Sequence, residues 1–143
     1  MPIDDREWLC RKIVEGTPDA VIFADREGII RLWNAGAEAI FGYGSEEALG
    51  QTLDIIIPDR LRERHWQGYR TVMGSGVTRY GRELLAVPAI RRDKVIISVE
   101  FSMVLLRDST ARIVGSAAIV RDVTARWQRE KALKDRLAKF EAK

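Results

Sequence analysis

Cysteine and histidine each occur once in this chain, as Cys10 and His65. A single cysteine makes no internal disulfide, which fits a reducing compartment and points to the cytoplasm. One cysteine and one histidine also leave the usual zinc sites without ligands, since these need four clustered donors, or three and a water. Long apolar runs are missing as well. None approaches the ~18 residues of a membrane span, and the opening MPIDDREWLC has no signal-peptide core, so no membrane partner is expected. Charge of one sign is scarce. The 24 Lys and Arg are interleaved with 21 Asp and Glu for a net +3, without the polybasic block that would suggest nucleic acid. There is no Ser-His-Asp constellation and no glycine loop for phosphates, so the chain is not read as an enzyme. Internal repeats and low-complexity segments are absent too.

What is present is the composition of a globular protein, 46% hydrophobic and 31% charged over 143 residues, enough for one domain with one core. DDREWLCRKIVEG predicts a helix with Trp8, Ile13 and Leu9 toward one face, Asp4 or Asp5 as cap and Gly16 as stop. DAVIFADREGIIRLWN holds two apolar runs, Ala20–Ala24 and Ile29–Trp33, around Asp25-Arg-Glu-Gly28. That pattern predicts a β-hairpin with Gly28 at the position needing positive φ. Asn34 can cap a short helix through Phe41, and Ser45 starts another that stops at Gly50. A longer helix is expected from Pro58 to about Met73, ended by Gly-Ser-Gly at 74–76. Three strand-like runs follow, Arg82–Arg91, Val95–Leu106 and Arg112–Arg121. In the second, Val99, Phe101, Met103 and Leu105 alternate with Ser98, Glu100 and Ser102, a period of two. Hairpin connections make the sheet antiparallel with one wet face. The chain closes in a run of helix formers whose seam, Val123, Leu133, Leu137 and Phe140, is interrupted by Arg126 and Glu130. The class is α+β.

This order and its residues resemble a PAS domain. The tokens are P-D-A at 18–20, D-x-x-G-x-I from Asp25, W-N-x-x-A-x-x-x-F-G-Y from Trp33, and E-x-x-G from Glu47. RRD at 91–93, SVEFS at 98–102 and RDVT at 121–124 complete the likeness, which spans about residues 16–124. One departure is Lys94, where the family commonly has a turn glycine. The resemblance implies a five-stranded antiparallel sheet in the order 2-1-5-4-3, with helices over one face enclosing a ligand pocket. Residues 1–15 then form an N-terminal helix and residues 125–143 an exit helix opening a coiled-coil linker. It further implies sensing, with signals passed to a kinase, cyclase or transcription module, as in bacterial two-component systems. No output module is present, so the chain reads as a lone PAS protein or, preferably, as a fragment cut just after its exit helix begins.

The histidine lies in DRLRERHWQGYR, a stretch that at first sight is a solvated helix. At about 100° per residue, however, Leu61, His65, Gly68, Tyr69 and Val72 share one face, while Glu63, Gln67 and Arg70 share the other. An imidazole pointing into a PAS pocket can ligate a haem iron from one side. The oxygen-sensing PAS kinases carry their proximal histidine on this helix in a similar R-x-R-H setting, and Arg82 resembles the arginine of those sensors that answers propionates or bound oxygen. Haem b is the favoured cofactor on this resemblance, held by His65 with Tyr69, Arg82, Phe101 and Met103 around it; Met103 is also a candidate second iron ligand. Against this stands a plainer reading, in which His65 only hydrogen-bonds within the core. Flavin is unmarked, because Cys10 lies in the N-terminal helix and the N-C-R-F-L-Q type of motif is missing. Three readings remain: a haem-based gas or redox sensor, a sensor of another small molecule, and a ligand-free dimerisation module. Asp122 and Thr124 are expected to form the hinge through which a signal leaves. A homodimer through the N-terminal helix and the exposed sheet face is also expected.

Overall fold

The computed structural model describes residues 2–77 and 85–142. Helix α1, Arg6–Gly16, is capped by Asp5, whose carboxylate accepts from the Glu7 and Trp8 N–H groups at 3.0 and 3.2 Å. None of its side chains is buried, and Ile13 is left exposed. Strands β1, Ala20–Asp25, and β2, Ile30–Trp33, form the expected hairpin. In its turn the Asp25 carboxylate accepts from the Glu27 and Ile29 N–H groups, each at 3.0 Å, and Gly28 takes φ +79°.

Asn34 does more than cap helix α2, Ala35–Phe41. Its Oδ1 accepts from the Ala37 and Val21 N–H groups at 2.9 and 2.8 Å, and its Nδ2 donates to the Val14 and Asp19 carbonyls at 2.7 and 3.0 Å. One buried amide therefore joins the last turn of α1, the start of β1 and α2, with every bond it can make accounted for. Close approach is possible because residue 36 is glycine; a Cβ there would sit 2.0 Å from the Asp19 carbonyl oxygen.

A single turn, α3, Ser45–Ala48, and two short 3-10 segments, Leu53–Ile56 and Asp59–Leu61, carry the chain to helix α4, Arg62–Ser75. The predicted helix from Pro58 thus begins as a tighter 3-10 turn. It also runs through Gly74 and Ser75, and only Gly76, at φ +71°, ends it. Strands β3, Leu85–Ile90, β4, Ile96–Arg107, and β5, Ile113–Asp122, complete an antiparallel sheet in the order β2-β1-β5-β4-β3. The first of these was expected from Arg82; residues 82–84 lie outside the described ones. Lys94 accepts the conformation that a glycine would take freely, with φ +70°, so the β3–β4 turn keeps its type at some strain.

Two apolar clusters hold the helices to the sheet. The larger joins Ile22, Ile30, Trp33, Phe41, Ile97, Val99 and Val120 beneath α2. The smaller joins Ala24, Tyr69, Met73 and Ile113 beneath α4. Helix α5, Thr124–Glu141, leaves the body with no buried residue, anchored just before its start by buried Val123.

Candidate functional site

Along α4, residues four apart return to the sheet: Tyr69 and Met73 are buried, and His65 and Leu61 half-buried. The predicted face is right for Leu61, His65, Tyr69 and half-buried Val72, omits Met73, and is wrong for Gly68. Gly68 is exposed and would have nothing within 4 Å of a Cβ, so it makes no room for a flat ligand. The residue that sequence reasoning missed is Trp66. Its ring lies against Gly28, where a Cβ would come within 2.1 Å of it, and its Nε1 donates to Asp54 Oδ1 at 2.7 Å. Its spacing of three from Tyr69 was the available signal.

His65 packs against both of these aromatics, whose rings also meet each other at 5.4 Å. Its ring centroid is 4.7 Å from that of Trp66, edge-on, and 5.8 Å from that of Tyr69. Its Nδ1 is buried and has no hydrogen-bond partner. Burial lowers the imidazole pKa below its ordinary value, while the Asp54 carboxylate pulls the other way; the ring is held neutral at physiological pH. Tyr69 is fully committed: its hydroxyl reaches the carbonyls of Ala24, at 3.2 Å, and Asp25, and burial pushes the phenol pKa up. The site therefore offers one neutral nitrogen in a rim of bonded aromatics, suited to exchanging a single hydrogen bond with a small polar molecule.

The other predicted site residues do not gather here. Phe101 packs against the α2-side cluster and pairs with Val120, Met103 pairs with Ala118 of β5, and Arg82 lies outside the described residues. A cleft of about 340 Å³ lies between Phe41, Gly42 and Arg91–Asp93 and another of about 290 Å³ at the end of α4; His65 lines neither of these. For haem, the donor is suitable, a neutral imidazole with a free nitrogen. The space is not. Tyr69 bridges α4 to β1, and Trp66 fills the gap to the β1–β2 turn, where a porphyrin would have to lie. As folded, these residues do not fit the group.

At the opposite end of the sheet, the expected hinge is a compact knot. Asp122 Oδ1 accepts from the Thr124 N–H at 2.9 Å and its hydroxyl at 2.6 Å. Thr124 Oγ1 in turn accepts from the Ser98 N–H at 3.0 Å, and the Val123 N–H donates to the Ser98 carbonyl at 2.8 Å. Arg126 pairs with Glu100. The first turn of α5 is thereby bound to β4 as well as to the end of β5. Among the described residues, no helix is long and apolar enough to cross a membrane, and no three metal-ligating side chains cluster.

Comparison with known proteins agrees with the topology. A family model described as the PAS fold matches residues 14–128. The sensor protein FixL of Bradyrhizobium diazoefficiens is 32% identical over 91% of this chain and 25% of its own length. The signal transduction histidine-protein kinase AtoS of Escherichia coli is 31% identical over 88% of this chain and 20% of its own. The crystal structure of the PAS domain of a protein from Colwellia psychrerythraea superposes with a TM-score of 0.74 at 24% identity, covering 85% of this chain and 99% of that one. The chain spans a quarter or less of the curated relatives it matches.

Proposed function

The chain belongs to the PAS family, and from that premise we propose that it is the sensory module of a larger signalling protein, receiving a small ligand at His65 on α4. The observation that carries this reading is the buried Nδ1 of His65, which lacks the partner that buried polar atoms ordinarily have. A ligand that bonds this nitrogen relieves it. Signal then leaves through α5 only if the ligand prefers one arrangement of the hinge over another. The knot of Asp122, Thr124 and Ser98 supports that role, because it ties α5 to two strands at once. The likeness to sensor kinases supports a kinase as the output module, with a cyclase as the alternative.

Haem is the second reading. The single neutral imidazole and the resemblance to oxygen-sensing PAS kinases favour it; the packing of Tyr69 and Trp66 opposes it. The test is a visible spectrum of the purified protein before and after incubation with haem and desalting, followed by native mass spectrometry. The expected result is a colourless protein carrying a small molecule that His65→Leu loses without unfolding. A Soret band that depends on His65 replaces the first reading with the second. No bound mass, or the same mass in the variant, overturns both.

Homodimerisation is part of the same proposal. Leu32, Val104, Leu106 and Ile119 are exposed on the sheet and Ile13 on α1, an apolar surface that a second copy can cover. Sedimentation of the chain with and without residues 1–15 checks it: a dimer that dissociates on deletion is expected, and an unchanged monomer counts against it.

A further inference from the structure

Far from the hinge, the Gly74-Ser75-Gly76 end of α4 meets the β4–β5 hairpin across the cleft of about 290 Å³. Three arginines line it from separate parts of the chain: Arg26 from the β1–β2 turn, Arg107 from the end of β4 and Arg112 from before β5. The acceptors of Arg26 and Arg107 are neutral. Arg26 donates to the Ile113 carbonyl at 2.8 Å, and Arg107 to the Ala111 and Gly76 carbonyls at 3.0 and 3.2 Å. None of the three is within an ion pair among the described residues. The nearby Asp108 carboxylate accepts from the Thr110 hydroxyl and N–H and from the Arg112 N–H; these bonds, with a smaller part from the Arg112 charge, hold its pKa below the usual carboxylate value.

The carbonyl end of α4 favours a cation, and Arg107 supplies one by donating to the Gly76 carbonyl. Arg26 then stands as positive charge beyond what the helix end uses, and Arg112 adds to it, offset in part by Asp108. Like charges converging on one concavity repel unless an anion joins them. The planar forks of arginine match the oxygens of a phosphoryl group two at a time, and the half-open cleft has room for such a group.

We infer that this cleft binds a doubly charged oxyanion, a phosphoryl group, through Arg26, Arg107 and Arg112. The inference is independent of the ligand at His65. It is tested on the intact chain by titrating inorganic phosphate at constant ionic strength and following the backbone amides of Gly76, Ala111 and Ile113 by NMR. Saturable shifts are expected, with affinity weakened about tenfold or more in Arg26→Gln/Arg112→Gln, since each charge-assisted contact is a substantial fraction of a weak binding energy. Arg112→Gln alone keeps the fold intact, because no side-chain hydrogen bond is lost, and it should weaken phosphate too. Arg129→Gln on exposed α5 is the control and should leave binding unchanged. A parallel titration with glycerol phosphate separates sources: tighter binding identifies a small organic phosphate, equal binding free phosphate. Shifts that never saturate, or that persist unaltered in the double variant, overturn the inference.

Discussion

Beneath α2, the sheet buries large apolar side chains, Phe41 and Ile30 completely, and the polar atoms at its centre are paired: Asn34 makes four bonds, and the Trp33 Nε1 donates to the Tyr43 carbonyl at 2.9 Å; only at the rim, beside Phe41, does a buried nitrogen, Arg91 Nε, lack a partner. Beneath α4 the cluster is smaller and carries a phenol, an indole and an imidazole, one of whose nitrogens is left without a partner. The two halves share one sheet yet divide the work. The first supplies stability through close packing; the second keeps polar groups near the interior, where they are useful to a ligand and of little use to the fold.

The comparison is broken most severely at Phe41. Phe41→Ala removes a fully buried ring packed 5.6 Å from Trp33, and should lower unfolding free energy by roughly 3–5 kcal/mol in urea titration. A loss under about 1 kcal/mol would mean that the α2 side collapses freely and is not the rigid half.

Gly28→Ala strikes the other half. It forces a β-carbon into the left-handed region and into the Trp66 ring, with an expected cost of about 2 kcal/mol. Hydrogen exchange should speed up in α4 and stay unchanged in α2; equal loss of protection in both would erase the proposed division. Tyr69→Phe is gentler. It deletes the hydroxyl that bonds α4 to the β1 backbone and should cost about 1 kcal/mol. A cost as large as that of Phe41→Ala would put α4 among the structural elements instead.

The same division explains what the sequence made legible. Alternation and turn chemistry are local, so the β1–β2 hairpin with Gly28, the Asn34 cap and the inward run of β4 could be read from neighbours in the chain. The strand order came through resemblance to a family. The site was harder. A helical wheel places His65 and Tyr69 inward, but it treats position 68 as inward too, although Trp66 on the other flank is the side chain that meets the β1–β2 turn. Which flank of a helix is covered depends on how its axis lies over the sheet, a tertiary fact with no local signature. The four bonds of Asn34 were invisible for the same reason, since their partners lie up to 20 positions away.

The smallest effect is expected at His65, and it separates the halves most sharply. Replacing a side chain that makes its hydrogen bonds would leave partners orphaned, but the Nδ1 of His65 has none to orphan. His65→Leu should therefore change stability by no more than about 0.5 kcal/mol at neutral pH. Below that, the two proteins should part. Burial lowers the folded-state pKa of His65 beneath its ordinary 6.5, so as pH falls the unfolded chain takes up the proton first. The wild type is fully stable above that value and loses stability as pH drops through the window beneath it. His65→Leu lacks this component, while the carboxylates titrate alike in both proteins and cancel in the difference. Urea midpoints at about pH 7.5 and 5.5 give the comparison. The wild type should fall further than the variant between them. Parallel slopes would show a histidine that is solvated in practice, and the inner face of α4 would then hold no unpaired nitrogen for a ligand to find.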